Sequence, residues 1–213
     1  MDKPEFASAH MAALNPQQRA AVEAVHGPVL LLAVPGSGKT TVLITRLGYM
    51  TQVCGIPPQS ILTMTYTVAA TREMRARFAV QFGDALAGQL EFRTINGVAA
   101  RIIALYSRMY NRTPPDLIQN DSDTAPLLTR LWQEMNHEYP TESTLKDLRT
   151  AITYIKNMCL TDDELDALET DIDNLPELYR GYQRALKAGH RMDYDDQLCF
   201  ALQILRGAPA VAK

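Results

Sequence analysis

The sequence of 213 residues contains few cysteines and no long apolar run. Its three cysteines, Cys54, Cys159 and Cys199, are scattered and odd in number, which is typical of reduced thiols and not of a disulfide framework or a metal site. No apolar run approaches the roughly 18–20 residues of a membrane span. The N-terminus also lacks the basic and then apolar order of a signal peptide. We therefore expect a cytoplasmic protein that has no membrane partner.

The chain also has no excess of positive charge. The chain has 21 Lys and Arg residues against 24 Asp and Glu residues, which gives a net charge of -3. A protein of this charge does not coat nucleic acid by bulk attraction, so any DNA contact must come from a local patch. Hydrophobic residues make up 46% and charged residues 21% of the chain, an ordinary globular composition. The length allows one full core or two small ones.

Strand-like and helical patterns alternate in the first half of the chain. Strands are predicted at residues 28–34, 61–67 and 91–96, and a helical pattern follows each of them. The first run is almost wholly apolar, as expected for a strand that is covered on both faces. Asn15 and Pro16 form an N-cap and a first helical position, which predicts one more helix before that strand. Such alternation predicts an α/β fold with a parallel sheet and right-handed crossovers.

The pattern changes near residue 111. Residues 111–123 are polar and carry prolines, which predicts a linker, and beyond it we find helices and no clear strand. Two of these helices have apolar stripes, formed by Leu127, Leu128, Leu131, Trp132 and Met135 and by Leu178, Tyr179, Tyr182 and Leu186. The stripes are predicted to pack on each other. Trp132 is then a core residue; the alternative is an exposed Trp132 that stacks on DNA. Thr161 and Glu164 form a capping box that begins a further helix.

A glycine-rich turn follows the first predicted strand. Residues 33–40 have the Walker A spacing A-x-x-G-x-G-K-T, except that Ala33 stands where glycine is usual. The two glycines let the backbone N–H groups approach phosphates, and the helix N-terminus adds partial positive charge. Lys39 would reach the β- and γ-phosphates of a nucleoside triphosphate, and the Thr40 hydroxyl would bind Mg²⁺. The predicted site comprises Pro35, Gly36, Ser37, Gly38, Lys39, Thr40 and Thr41. The alternative is a tight strand-to-helix turn with a solvated lysine.

Four further stretches of the sequence have the character of motifs: LNPQQRAAV (14–22), ILTMTYTVAATREMRARF (61–78), FRTING (92–97) and MDYDDQLCFALQIL (192–205). In this order they resemble the glutamine motif before Walker A, motif Ia, motif Ib and the segment shortly before Walker B of the UvrD/Rep/PcrA-like superfamily 1 DNA helicases. The resemblance implies a RecA-like P-loop NTPase domain, called 1A, at residues 1–110 and 191–213. An all-helical insertion, called 1B, would occupy residues 111–190.

The resemblance also implies an activity. It implies an ATP-dependent DNA helicase that translocates on single-stranded DNA and unwinds duplex DNA, 3′ to 5′ in most of the family, with ATP and Mg²⁺ as cofactors and a role in DNA repair. Lys39 and Thr40 would be the catalytic residues of this chain. Gln18 matches the glutamine whose amide reads the adenine edge, since one amide can donate and accept at once. The alternative is that Gln18, three residues after Asn15, only helps to cap its helix.

Residues near the strand ends match the DNA contacts of the family. Tyr66 matches an aromatic residue of motif Ia that contacts a base, and such stacking tolerates any base sequence. The alternative is an aromatic side chain packed at the end of a strand. Thr65, Thr67, Thr94 and Asn96 are predicted at the carboxyl ends of strands, where α/β sheets bind ligands. For each of these four residues, plain loop capping is the alternative to a DNA-phosphate contact.

The sequence departs from the family pattern at several positions. Thr41 stands where an arginine is common, Val68 and Ala69 replace an Asn-Lys pair, and Asn96 replaces a histidine. Phosphoryl transfer also needs an acidic Mg²⁺ partner and usually an arginine finger. In the family both lie beyond the segment at 192–205, and the sequence ends at Lys213.

We therefore expect an N-terminal fragment that is inactive alone and works with the remaining C-terminal helicase domains. The alternatives are a stand-alone module that binds a nucleotide without hydrolysing it, or the motor part of a helicase-nuclease. A P-loop kinase or another NTPase is disfavoured, because motifs Ia and Ib have no reason to occur there.

Overall fold

The computed structural model describes residues 1–212, without the side chains of Asp121 and Ala212. The chain divides into two compact units, Met1–Ile95 and Asn96–Lys213. Twelve α-helices, one short 3₁₀ helix and four strands are formed by the described residues. No helix in this part of the chain is long and apolar enough to cross a membrane.

The first unit contains one pair of parallel strands among five helices. Its elements are α1 (Lys3–His10), α2 (Pro16–Glu23), α3 (Lys39–Gln52), a 3₁₀ turn (Pro58–Ser60), β1 (Leu62–Thr65), α4 (Val68–Phe82), α5 (Asp84–Ala87) and β2 (Glu91–Thr94). The sequence predicted α2, α3, α4 and both strands. The predicted cap of α2 is confirmed, because the Asn15 side chain accepts from the Gln18 backbone N–H and the Gln18 side chain accepts from the Asn15 N–H.

Helix α3 is the centre of the first unit. On one side Val42 and Tyr49 join a buried cluster with Phe6 of α1 and Val22 of α2. On the other side, a second buried cluster includes Ile44, Leu47, Ile61, Phe78, Ala87 and Leu90. The helix that begins at the glycine-rich turn is therefore held by apolar contacts on both sides, which fixes the position of its first turn.

The prediction of a strand at residues 28–34 is wrong, because no strand forms there in the described structure. Leu30 and Leu32 are each 83% exposed and Val34 is 70% exposed, whereas Leu31 packs against the cluster around Phe6 and Val22. A strand that is buried on both faces needs hydrogen-bonded neighbours and covering layers. The described strands of this unit, β1 and β2, pair with each other. The run is thus apolar in composition but has no strand partner among the described residues.

The predicted RecA-like sheet is correspondingly reduced. The described strands form two separate parallel pairs of two strands each. In the first pair Leu62 lies opposite Glu91 and Thr65 lies opposite Thr94. The parallel direction agrees with the prediction, and the fold is a helix-rich mixed architecture with small parallel sheets.

The second unit is mainly helical. Its elements are α6 (Ile95–Met109), which begins at the last residue of the first unit, β3 (Asp116–Leu117), α7 (Asp121–Asn136), α8 (Glu142–Asn157), α9 (Asp162–Asp166), α10 (Leu175–Ala188), β4 (Arg191–Met192), α11 (Tyr194–Gly207) and α12 (Pro209–Ala212). The predicted capping box of Thr161 and Glu164 is present at the start of α9. The acidic run that follows Thr161 is therefore the first turn of a helix.

A short strand interrupts the segment that was predicted to be a linker and an all-helical insertion. Strand β3 pairs in parallel with β4. The N–H of Asp116 donates to the carbonyl of His190 at 2.9 Å, and the N–H of Ile118 donates to that of Met192 at 2.8 Å. Two-residue strands are too short to show a periodic pattern in sequence. The two ends of the helical segment thus lie side by side.

Both predicted apolar stripes are buried in the core of the second unit. Leu128 and Trp132 of α7 pack with Leu178 and Tyr182 of α10 in one cluster, and Trp132 is only 6% exposed. The prediction that Trp132 is a core residue is confirmed, and the exposed, DNA-stacking alternative is wrong. A second cluster in this unit joins α6 to α11 through residues such as Ile103 and Ile204.

Candidate nucleotide and DNA-binding site

The glycine-rich turn before α3 depends on two glycines in the left-handed region. Gly36 has φ +79° and Gly38 has φ +81°, a conformation that side-chain-bearing residues rarely adopt. A Cβ added to Gly36 would meet no atom within 4 Å, so open space lies beside the turn. Gly38 is the N-cap of α3 and supplies no capping side chain. The start of α3 therefore has no side-chain cap, and the N-terminus of such a helix stabilises an anion.

Lys39 lies across this turn. Its Nζ donates to the carbonyl of Ala33 at 2.8 Å and to that of Val34 at 2.9 Å. The Ser37 hydroxyl also donates to the Val34 carbonyl, at 2.7 Å. The ammonium group is thus directed at the backbone of its own loop, where phosphate oxygens could take the place of the carbonyls. The Lys39 side chain is also exposed, so the alternative of a solvated lysine in a tight turn stays open.

The other residues of the predicted phosphate site lie in the turn and at the start of α3. Thr40 is half-buried in the first turn of α3, while Pro35 and Thr41 are exposed. A hydroxyl in the first turn of such a helix is the group that binds Mg²⁺ in phosphate-binding loops. The turn, the lysine and the hydroxyl therefore have the relative order along the backbone that a triphosphate requires.

Gln18 connects α2 to the turn. Its Oε1 accepts from the Asn15 N–H at 2.9 Å, and its Nε2 donates to the Ser37 carbonyl at 3.0 Å. The Gln18 amide therefore takes part in capping α2 and also holds the glycine-rich turn. A Cβ added to Gly38 would lie 3.3 Å from Gln18 Nε2, so this position has little room for a side chain.

A cavity of about 320 Å³ lies beside the turn. It is lined by Asn15, Gln17, Gln18, Leu31, Leu32, Ala33, Val34, Ser37, Lys39 and Val42. Gln17 was not predicted as a site residue, because the motif marks only the second of the two glutamines. None of these lining residues is acidic. The cavity thus offers amides, a lysine and apolar side chains to a nucleotide, and no carboxylate to its metal ion.

The predicted DNA-contact residues of the first unit converge at one edge of the β1–β2 pair. Tyr66 follows β1 directly and is 90% exposed, so the alternative of an aromatic packed at a strand end is wrong. Thr65 and Thr94 lie opposite each other at the carboxyl ends of the two strands. Thr67 is the N-cap of α4, and its hydroxyl accepts from the Ala70 N–H at 3.1 Å. Local capping therefore occupies the Thr67 hydroxyl.

Thr65 and Asn96 are also among the predicted DNA contacts. The Thr65 hydroxyl donates to the Thr67 carbonyl at 3.0 Å, so it also has a role within its own loop. Asn96 is half-buried in the first turn of α6 and belongs to the second unit. Tyr66 is thus the predicted DNA contact whose side chain is most accessible in the structure.

A buried ion cluster occupies the second unit, where the sequence resembles the segment before Walker B. The side chain of Lys156 in α8 is 1% exposed and pairs with Asp193 at 2.5 Å and with Asp196 at 2.8 Å. The Tyr182 hydroxyl donates to Asp193 at 3.0 Å. Burial acts to raise the pKa of Asp193, but Lys156 and the hydrogen bonds outweigh it and hold that pKa below its ordinary value. These carboxylates neutralise a buried lysine, and Asp193 also caps α11.

An uncapped helix start, a turn of two left-handed glycines and a lysine directed at that turn are together typical of phosphate-binding loops. The chain belongs to the UvrD/REP helicase N-terminal domain family, whose model matches residues 14–213. The resemblance that the sequence motifs predicted is thereby confirmed.

Several curated relatives are similar to almost the whole chain. It is 31% identical to the ATP-dependent DNA helicase UvrD1 of Mycobacterium leprae (strain TN), covering 94% of this chain and 26% of the relative. It is 29% identical to the ATP-dependent DNA helicase PcrA of Leuconostoc citreum, and the match covers 93% of this chain and 27% of that relative. It is also 28% identical to the ATP-dependent DNA helicase srs2 of Schizosaccharomyces pombe (strain 972 / ATCC 24843), and the match covers 96% of this chain and 25% of that relative. The chain therefore spans about a quarter of the length of the curated relatives that it matches.

Proposed function

We propose that this chain holds the ATP-binding part of a motor that translocates on single-stranded DNA and unwinds duplex DNA. The observation that carries the proposal is the turn of Gly36 and Gly38 at the uncapped start of α3, with Lys39 directed at the turn. The relatives named above are ATP-dependent DNA helicases, which supports ATP as the nucleotide and DNA as the partner.

Each residue of the nucleotide site has a proposed role. Lys39 exchanges its two carbonyl partners for oxygens of the β- and γ-phosphates, and the backbone of residues 35–41 surrounds the phosphates. Thr40 binds Mg²⁺, which shields the phosphate charge when it is bound. Gln18 lies against the turn and presents its amide to the adenine edge. Because the same amide already bonds to Ser37, its rearrangement would couple adenine binding to the shape of the turn.

The DNA track is proposed to begin at the edge formed by β1 and β2. Tyr66 stacks on a base, which accounts for an aromatic side chain that is almost wholly exposed. The proposed contacts to the DNA backbone are Thr65, Thr67, Thr94 and Asn96. Translocation is proposed to run 3′ to 5′, as the resemblance implies.

Residues 1–110 and 191–213 are proposed to act as domain 1A, and residues 111–190 as domain 1B. Such a motor would work in the cytoplasm, in DNA repair, together with the domains that make up the rest of the relatives' length. The cavity beside the turn is lined by no carboxylate among the described residues. We therefore propose that the chain of 213 residues binds ATP but has no DNA-stimulated ATPase activity by itself.

Nucleotide binding tests the first part of the proposal. We expect a fluorescent ATP analogue to bind the chain in the presence of Mg²⁺ and to bind Lys39→Ala much more weakly. Lys187→Ala removes the same charge from the exposed last turn of α10 and should bind as the wild type does. Equal binding by wild type and Lys39→Ala would contradict the site. ATP turnover that is stimulated by single-stranded DNA and abolished by Lys39→Ala would contradict the proposed inactivity.

DNA binding tests the second part. Tyr66→Ala should weaken binding of a labelled oligothymidine by about 1–3 kcal/mol, the usual value of one base–aromatic stack. Tyr139→Ala is the matched control, since Tyr139 is a tyrosine that is 80% exposed elsewhere. Fluorescence anisotropy measures both affinities. If the chain binds ATP but Tyr66→Ala leaves DNA affinity unchanged, a nucleotide-binding module without a DNA track at this edge becomes the better description.

A further inference from the structure

Two cysteines of the second unit share one hydrogen-bond acceptor. Cys159 follows the end of α8, and its backbone N–H donates to the Lys156 carbonyl at 3.0 Å. Cys199 lies in α11, and its thiol donates to the same carbonyl oxygen at 3.2 Å. Residues that are 40 positions apart in the sequence thus meet at one atom. The sequence pattern predicted three scattered thiols, and the fold brings two of them together.

The surrounding contacts hold this meeting point in place. Lys156 pairs with Asp193 and Asp196 at the start of α11. Asp195 of α11 accepts hydrogen bonds from Thr153 at 2.8 Å and from Asn157 at 3.0 Å, both on α8. The end of α8 is therefore fastened to α11 by charged and polar contacts within a few residues of both cysteines. The proximity of the thiols is a property of the fold and does not depend on the thiols themselves.

The two thiols differ in accessibility. Cys159 is exposed, whereas Cys199 is half-buried. Burial raises the pKa of the Cys199 thiol to about 11, and the neighbouring Cys159 contributes to that rise. Cys159 also has a left-handed backbone, with φ +53°, which turns the chain away from α8 immediately beside Cys199. An oxidant from solvent thus meets Cys159 first, and Cys199 is the less accessible partner next to it.

We propose that Cys159 and Cys199 form an oxidisable thiol pair, a modification site at which a peroxide converts the two thiols into a disulfide between the end of α8 and α11. The Cys159 sulfur attacks a peroxide oxygen, the O–O bond breaks, and a sulfenic acid and one water are formed when hydrogen peroxide is the oxidant. The Cys199 sulfur then attacks the Cys159 sulfur. The S–S bond forms, the S–O bond breaks, and the hydroxyl leaves as a second water with the Cys199 proton. The two thiols lose two electrons in total, which the peroxide accepts.

Disulfide formation has a defined structural consequence. The Cys199 S–H that binds the Lys156 carbonyl is lost, while the Cys159 N–H can keep that carbonyl satisfied. The segment between the two cysteines, which contains α9, α10 and β4, becomes a covalently closed loop. Closing a loop restricts the unfolded chain, so the oxidised second unit should resist unfolding better than the reduced one. The inference is independent of the proposed nucleotide site.

Peptide mapping tests the proposal on the wild-type chain. The reduced protein is treated with hydrogen peroxide, free thiols are blocked with N-ethylmaleimide, and the digest is analysed by mass spectrometry. We expect a linked Cys159–Cys199 peptide that disappears after dithiothreitol, and an alkylated Cys54, which is exposed and outside the pair. The thermal midpoint should rise on oxidation and return on reduction.

Two variants sharpen the test. Cys199→Ser should leave Cys159 as a sulfenic acid that dimedone traps, whereas the wild type should give little dimedone adduct. Cys54→Ser is the matched control and should still give the linked peptide. A wild-type protein that accumulates the dimedone adduct of Cys159 without the linked peptide would overturn the proposal. Disulfides that join Cys54 to either partner would also overturn it.

Discussion

The predicted apolar segments of the two units differ in burial. In the second unit the apolar stripes of α7 and α10 are buried against each other, and Leu128 and Leu178 are each 1% exposed. In the first unit the apolar run at 28–34 leaves Leu30 and Leu32 largely in solvent. Helices satisfy their own backbone hydrogen bonds and need a partner only for one face. A strand needs partners for its edges as well as its faces. Apolar composition therefore predicts burial more safely in a helical pattern than in a strand pattern.

The largest effect is expected in the helical core. Trp132→Ala should lower the free energy of unfolding by about 3–5 kcal/mol, because it removes a large buried aromatic side chain. Chemical denaturation followed by circular dichroism measures the change. Tyr139→Ala, on an exposed tyrosine, should stay within about 0.5 kcal/mol of the wild type. A small effect of Trp132→Ala would mean that Trp132 is not tightly packed in the helical core, and the contrast in burial between the two units would be weakened.

The next effect concerns the buried ion cluster. Lys156→Ala leaves two carboxylates without their cation and should cost about 3 kcal/mol, the lower end for a broken buried pair, since both carboxylates keep some contact with water. Lys156→Met retains more of the packing and separates the loss of charge from the loss of volume. Arg77→Ala breaks an exposed pair with Glu73 and should cost about 0–1 kcal/mol. Equal losses for Lys156→Ala and Arg77→Ala would remove the distinction between the two kinds of pair.

Acid should weaken the same cluster by a smaller amount. The pKa of Asp193 is lowered in the folded protein, so the unfolded chain binds its proton more readily. The stabilisation is therefore present above the ordinary aspartate pKa and is lost as the pH falls through the lower, folded pKa, below about pH 4. Urea unfolding at a series of pH values measures this loss. Asp193→Asn should show a shallower acid dependence than the wild type, and identical slopes would contradict the pairing.

Within the first unit, Gly48 of α3 lies against the ring of Phe82. A Cβ there would overlap the Phe82 ring, so Gly48→Ala forces the ring to move. We expect a net loss of about 1–2 kcal/mol, because overpacking costs about 1–3 kcal/mol and alanine returns up to about 1 kcal/mol of helix propensity. Gly207→Ala is the control, since a Cβ there meets nothing within 4 Å. Similar unfolding midpoints for the two variants would show that Phe82 has room to move.

The smallest effect is expected in the exposed run. Leu32→Ser should change the free energy of unfolding by less than about 0.5 kcal/mol, because its side chain is already in solvent. Leu31→Ser, one residue away, should cost clearly more, since Leu31 packs against the Phe6 cluster. Chemical denaturation of the two variants tests whether Leu31 is packed and Leu32 is exposed. If Leu32→Ser lowers the free energy of unfolding as much as Leu31→Ser does, the side chains on both faces of the run are covered.

Features that depend on residues close together in the sequence could be predicted, whereas features that depend on contacts between distant segments could not. The caps at Asn15 and Thr161 were predictable because each is completed within three residues. The turn at Gly36 and Gly38 was predictable because a lysine and a hydroxyl follow it directly. The missing strand at 28–34, the β3–β4 pair and the two adjacent thiols depend on which distant segments meet. A local pattern carries no information about such partners.

The hydrogen bonds between β3 and β4 make the helical core a module with adjacent ends. Among the described residues, every buried member of that core lies between Ile118 and Leu186, inside the segment that these two strands close. A host protein would need only two neighbouring attachment points to carry this segment as a cassette. The cassette would have to extend into the first turn of α11, because the carboxylates that neutralise Lys156 lie just after β4. The short strand pair thereby sets where the helices could be grafted, exchanged or deleted as one piece.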